Sequence, residues 1–388
     1  VFLDIWLPDR DGLETLQAIR EVDPAAAVVM MSGHGTTSTA VKAIKMGAYD
    51  YLEKPLSYSL IVSAVNGALE YRKSVTSDAT LLSSLERTKE RLETERKFDS
   101  PPKLSIVTTT DTPQRTIGKS AVIYGLGLHS GTRTGMVLQP LPEDHGIHFV
   151  TLPTSTHIPA HVSQVAETDY ATTLSKEGAD IRTVEHLLSA LHAYGITNLL
   201  VKVHGEIPVL DGSAVEFCNT LEEMGVEEQS SPRKEVVIDR KYEIGEKDGR
   251  HLMIEPFDGF SISYLLRYPA PIGEQSYEFQ LSSVGAYVEE IAPARTFGFL
   301  RDLKMMAELG LGSGGRLDNC ILVGEDRLIN TELRFPDEFV RHKILDIIGD
   351  LYLIGYPLRG KVTARLTGHK FNIALLRKIV EETSLARE

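Results

Sequence analysis

The chain has 388 residues, 42% of them hydrophobic and 24% charged, with a formal net charge of −13. That length and balance suit two or three soluble globular domains. The acidic charge argues against a general nucleic-acid binder, because phosphate binding wants a basic surface. Cys218 and Cys320 are the only cysteines. They exclude a disulfide framework and a four-cysteine zinc site, and they point to a reducing, cytoplasmic home. No apolar run approaches the ~20 residues of a membrane span, and no signal-peptide pattern is present. Val1 opens inside an apolar run, which reads as a truncated start.

Residues 1–74 alternate between strand and helix patterns. "VFLDIWL" reads as a buried strand, "DGLETLQAIREV" as an amphipathic helix and "AAAVVMMSG" as a second strand. "TSTAVKAIKMGA" is a helix, "YDYLEKPL" a short strand and "SLIVSAVNGALEYRK" a further helix. Such alternation predicts a parallel sheet with crossover helices. The segment resembles the receiver domain of bacterial response regulators, through "LDIWLPDRDGLE", Ser32 in "MSGHG" and Lys54-Pro55 in "EKPL". The resemblance implies a partial α/β, flavodoxin-like fragment with Asp4 at the phosphoacceptor position. The family's first strand, with its magnesium-binding acidic pair, is missing, as are its first helix and second strand. Phosphoryl transfer at Asp4 is therefore expected to be very weak, and a vestigial receiver is favoured over an autonomous switch.

Residues 75–103 change character. "LLSSLERTKERLETERKF" is charge-rich, with Leu81, Leu85 and Leu92 as a thin stripe and Lys89–Glu93 and Arg91–Glu95 as i, i+4 pairs. It predicts a solvated linker helix, with weak self-association as a short coiled coil the alternative. "DSPPK" ends it, since consecutive prolines cannot continue a helix.

From residue 104 onward, strands lead through "AVIYGLGLHSG", "GMVLQPL" and "GIHFVTL". The helix "RTVEHLLSALHAYG", the strand "NLLVKVHG" and the helix "VEFCNTLEEMG" follow. The order then repeats. Strands run through "KEVVIDRKYEIGEKDGRHLMIEPF" and "FSISYLLRY", followed by helices near "SVGAYVEEI" and at "DEFVRHKILDIIGDLYLIG". The strand "RGKVTARLTG" and the helix "HKFNIALLRKIVEET" close the chain. The repetition predicts α+β architecture with two similar two-layer α/β-sandwich domains, at 104–232 and 233–388.

In "FVRHKILDIIGD", His342, Asp346 and Asp350 are spaced i, i+4, i+8 and fall along one side of a helix. The wheel is otherwise largely apolar, which predicts burial. Burying two carboxylates and an imidazole is costly unless they are paired, either by a metal ion or by a network with Arg341 and Lys343. In "TVEHLLSALHAYG", Glu185 and His186 are adjacent, while His192 points elsewhere. His186, His342 and Asp346 together make a ligand set suited to catalytic zinc with a fourth position open. Glu185 then stands as a base for water, and His369 in "LTGHKFN", placed at a strand end, as an acid for a leaving amine. Asp350 could hold that imidazole charged, and Lys343 could meet an anion. These parts suit a metal-assisted amide or ester hydrolase.

Residues from about 113 to 385 closely resemble the zinc-dependent UDP-3-O-acyl-N-acetylglucosamine deacetylases of lipid A biosynthesis. The resemblance rests on "GLGLHSG", "TVEHLLSALHAYGI", "EIPVLDGSA", "ARTFGFLRD", "LDNCILV", "LRFPDEFVRHKILDIIGDLYLIG" and "TGHKFN". It implies an active site between two α+β domains, each with an insert, and Zn2+ on His186, His342 and Asp346. It further implies Glu185 as general base, His369 as general acid with Asp350 as partner, and Thr296 at the oxyanion. Lys343 falls near the diphosphate, and Phe297, Phe299, Leu128 and His129 near the substrate. The implied substrate is a UDP-sugar with a fatty acyl chain, and acetate is the implied product. A zinc hydrolase of another amide and a signalling module are the rivals.

Overall fold

The structure is a computed structural model. It describes residues 1–5, 11–23, 26–32, 42–44, 46–54, 64, 65 and 68, then 103–385 apart from 153, 247 and 248. The chain divides into two compact units, Val1–Lys97 and Phe98–Glu388.

In the first unit, strands Phe2–Asp4, Val29–Ser32 and Asp50–Glu53 form a parallel sheet in sequence order. Parallel neighbours need a crossover, and helix Gly12–Val22 lies between the first two strands. Asp11 caps that helix, its carboxylate accepting from the Leu13 amide at 2.8 Å. Leu13 and Leu16 bury against Leu3, Ile5, Val28 and Met30. The expected partial parallel sheet is present. Asp4 pairs with Lys54, and the buried Ser32 ends the second strand. The predicted linker helix with Leu81, Leu85 and Leu92 lies outside the described residues, as does the coiled-coil pairing it would support.

The second unit carries two main sheets. The five-stranded one runs Ala121–Leu126, Arg133–Pro140, Leu199–Val203, Ile147–Thr151, His157–Pro159. Its neighbours are antiparallel except Leu199–Val203 with Ile147–Thr151. The larger sheet has seven strands. Within it Leu358–Arg365 pairs antiparallel with His251–Glu255 and parallel with Phe260–Arg267. Strand Val226–Val237 crosses position 232 and pairs with Val107–Ile117, so the beginning of this unit joins the later sheet. Alternate residues of Leu358–Arg365 are buried, the period of a strand with one face on a core.

One core runs continuously from the five-stranded sheet (Met136, Phe149, Val201) through the helices Glu185–Tyr194 and Glu338–Leu351 to the seven-stranded sheet (Ile262, Val362). The two helices touch backbone to backbone. A Cβ on Gly349 would fall 1.9 Å from the Glu185 carbonyl oxygen, so glycine is what permits the approach. Two small sheets stand apart. One joins Val165–Glu167, Thr173–Lys176 and Ala179–Ile181, and the other joins Phe297–Phe299 to Ile321–Val323. Each precedes, in sequence, one of the two central helices. The architecture is α+β, as the element order predicts.

Candidate metal centre

The Glu338–Leu351 helix buries twelve of its residues, including His342, Asp346 and Asp350. His186 sits in the first turn of the Glu185–Tyr194 helix, and the Gly349 contact brings that turn alongside. The predicted set converges. One donor atom each from His186, His342 and Asp346 lies within 4.8 Å of the others, and all three residues are buried. Asp346 Oδ1 is 3.5 Å from His342 Nε2 and 3.8 Å from His186 Nε2. The His342 Nδ1 lies 3.1 Å from the Ala294 carbonyl oxygen. A proton on Nδ1 donated there leaves the Nε2 lone pair facing the cluster. Burial, and then the neighbouring His342, push His186 down to about 3. Burial also lowers His342. Both imidazoles are therefore neutral, the form that ligates. Burial works against the Asp346 charge, but Lys343 and the surrounding imidazoles outweigh it and hold the carboxyl well below its usual range. Two neutral imidazoles and an ionised carboxylate fit a zinc ion.

Of the alternative network, one half is present. Lys343 Nζ donates to Asp346 Oδ2 at 2.7 Å. Arg341 turns away and pairs with Asp337 at 2.7 Å. Asp346 keeps Lys343 charged against its burial.

Glu185 is 2% exposed. Burial raises its pKa, against the pull of the nearby His369. Its Oε1 lies 4.0 Å from His369 Nε2. His369 does not end a strand, as its sequence position suggested. The strand stops at Arg365, and His369 is the first residue of the helix His369–Thr383. Between them the backbone bends at Leu366, whose φ is 55°. A helix N-terminus disfavours a cationic imidazole, and burial does too, yet Asp350 overrides both and raises His369. His369 Nδ1 is 2.7 Å from Asp350 Oδ2. The fully buried Asp350 is also held by Asn372 Nδ2 at 2.8 Å and by Thr172 Oγ1 at 2.6 Å.

Thr296 lies two residues past Ala294, with its amide on the Gly212 carbonyl at 2.7 Å. Phe297 stands edge-on to His342 with ring centroids 6.2 Å apart, and the Lys343 ammonium is 5.7 Å from its ring. Phe299, Tyr268 and Phe339 complete an aromatic group around Phe297. Leu128 and His129 belong to a turn whose carbonyls accept from Gly314 and Ser313. Buried Glu206 holds that turn through the His129 and Ser130 amides at 2.8 and 2.9 Å. His192 points away from the cluster, stacked on Tyr352 at 4.5 Å.

The sequence reading missed three supports. Thr172 sits in a strand-rich stretch with no motif to mark it. Asn372 follows His369 by three residues, so both share a helix face, a signal that was available. Glu338, fully buried, takes the Arg295 amide and guanidinium at 3.0 and 2.8 Å. It thereby ties the Ala294–Thr296 segment to the helix bearing His342.

Comparison with known proteins gives the family. Residues 114–381 match the UDP-3-O-acyl N-acetylglycosamine deacetylase family, and residues 1–66 match the response regulator receiver domain. The UDP-3-O-acyl-N-acetylglucosamine deacetylase of Helicobacter pylori is 42% identical over 272 residues, covering 69% of this chain and 92% of that protein. That of Myxococcus xanthus is 43% identical over 276 residues, covering 70% and 87%. The NtrX receiver domain of Brucella abortus is 49% identical, with a TM-score of 0.17, over 18% of this chain and 59% of that one. With the buried His-His-Asp cluster lying inside the matched region, the chain belongs to the UDP-3-O-acyl N-acetylglycosamine deacetylase family.

Proposed function

We propose that the chain removes the N-acetyl group of UDP-3-O-[(3R)-3-hydroxyacyl]-N-acetylglucosamine as acetate, a zinc-dependent step of lipid A biosynthesis in the cytoplasm. The observation that carries this reading is the convergence of His186, His342 and Asp346 beside Glu185 and His369, in a chain of this family. His186, His342 and Asp346 would hold Zn2+, which supplies the positive charge that activates water and polarises the acetamide carbonyl. Glu185 takes the proton of the attacking water. The Thr296 hydroxyl donates to the developing oxyanion. His369, kept protonated by Asp350, delivers a proton to the departing glucosamine nitrogen. Lys343 meets the diphosphate, and Phe297, Phe299 and Leu128 contact the sugar and acyl chain. The division at 104–232 and 233–388 is proposed to carry the two halves of the site. The small sheets around Thr173 and Phe297 are proposed as their inserts. Among the described residues, no helix is long and apolar enough to cross a membrane.

Glu185→Gln tests the base. It should keep zinc and lose most turnover, and a near-normal rate would remove Glu185 from that role. In the N-terminal unit, Asp4 is proposed as a vestigial phosphoacceptor position, supported by its pairing with Lys54. Among the described residues Asp4 belongs to no group of three metal-ligating side chains. A small phosphodonor with magnesium should give no stable phosphorylation, and a stable aspartyl phosphate would reverse that assignment.

A further inference from the structure

The two groups proposed to move protons come from distant parts of the chain. Glu185 starts one helix, His369 starts another, and Asp350 lies near the end of a third. Thr172 touches all three residues and is fully buried. Its amide donates to Glu185 Oε2 at 3.1 Å. Its hydroxyl donates to Asp350 Oδ1 at 2.6 Å and lies 3.4 Å from His369 Nδ1. Its carbonyl accepts from the amide of Val184, the residue before Glu185, at 3.4 Å.

This division of contacts is specific. With Oε2 of Glu185 engaged, Oε1 is the oxygen that faces His369 Nε2 at 4.0 Å. On Asp350, Oδ2 serves His369 and Asn372, and the Thr172 hydroxyl takes Oδ1. A carboxylate gripped at one oxygen can swing about its Cβ–Cγ bond. A swing of Asp350 would tilt the imidazole it holds at Nδ1, and the tilt is passed across the ring to Nε2, the atom that faces Glu185.

We propose that Thr172 is a positioning residue: its amide orients the Glu185 carboxylate while its hydroxyl fixes Asp350, and through it His369, in one constellation. The proposal rests on the deacetylase reading, in which Glu185 and His369 handle the protons. Orientation of proton-moving groups matters more in the transition state than in substrate binding, so kcat should carry the effect and KM should not.

The test uses the zinc-loaded full chain and the UDP-3-O-acyl-N-acetylglucosamine substrate. Thr172→Val keeps the shape and removes the hydroxyl, and Thr172→Ser keeps the hydroxyl and removes a methyl. Losing one hydrogen bond to a charged group predicts a fall in kcat of about tenfold to a hundredfold for valine, with KM within about twofold. Serine should recover kcat to within about threefold of the parent. If the valine protein does not fold, Thr172→Ala against Thr172→Ser isolates the same oxygen. In protein labelled with 15N-histidine, the His369 Nδ1–H resonance should persist with serine and shift or broaden with valine or alanine. Unchanged kcat without the hydroxyl, or serine as impaired as valine, would overturn the proposal. Glu185→Gln run alongside separates the two levels. An inactive Glu185→Gln variant beside a fully active valine variant sinks the Thr172 proposal alone. A fully active Glu185→Gln variant removes Glu185 as the base and this proposal with it, whereas no acetate release from the folded, zinc-loaded parent chain sinks the deacetylase reading itself.

Discussion

Replacing Gly349 by alanine probes how the metal centre is assembled. Gly349 lies within the Glu338–Leu351 helix, where alanine is the better helix former by about 1 kcal/mol. Propensity alone therefore predicts a stabilised protein. The added methyl, however, would lie 1.9 Å from the Glu185 carbonyl oxygen and 2.7 Å from its carbon. Both are backbone atoms and cannot rotate aside. Restoring ordinary contact requires the helices to part by about 1.5 Å. Such overpacking costs about 1–3 kcal/mol, so the net change in stability should be a loss of about 0–2 kcal/mol. The effect on the site should be much larger. His186 rides on one helix, His342 and Asp346 on the other, and 3.8 Å now separates His186 Nε2 from Asp346 Oδ1. A shift of about 1 Å at a reacting centre costs about a hundredfold in rate. We expect kcat/KM for acetate release to fall by that order, zinc to be lost to a competing chelator more readily, and the melting temperature to drop only a few degrees. An alanine protein with parental rate and zinc retention would refute the claim that this contact sets the ligand geometry.

The other predictions concern single side chains. Asp346→Ala leaves two of the three proposed protein ligands, and zinc content measured after dialysis should collapse; full occupancy would sink the ligand assignment. His369 is raised above the ordinary imidazole value, chiefly by Asp350 acting against burial, so it stays protonated past neutrality and the acid function proposed for it is lost as pH climbs through the raised pKa. His369→Ala should therefore remove the high-pH limb of the rate profile, and an unchanged limb would mean that another group is the acid. Glu338→Gln breaks a buried ion pair with Arg295, whose side chain is 11% exposed. Urea unfolding should show a loss of about 3 kcal/mol, and a change below about 0.5 kcal/mol would contradict the clamping role.

The helix carrying His342, Asp346 and Asp350 was readable because a period of four residues places side chains on one face. Burial of that face followed from the surrounding apolar residues. The meeting of His186 with His342 and Asp346 was readable only as a ligand set, since spacing along a chain does not report distance across a fold. His369 was assigned to a strand end because the apolar alternation of Leu358–Arg365 runs close to it, whereas the chain bends at Leu366 and a helix starts at His369. Thr172 was invisible: one threonine among strand residues bears no pattern, and its role comes from three partners remote in sequence. Gly349 was legible as part of a helix, but the backbone it must clear belongs to Glu185. Parallel strands were plain in residues 1–54, where local alternation of strand and helix patterns determines the elements, while the Asp11 cap emerged only with the structure.

The central claim is tested most directly by measuring acetate release from UDP-3-O-(3-hydroxyacyl)-N-acetylglucosamine by the purified chain, before and after chelation and again after zinc is returned. Release should stop with chelator and recover with zinc. Release indifferent to chelator, or none from the folded, zinc-loaded chain, would contradict the claim.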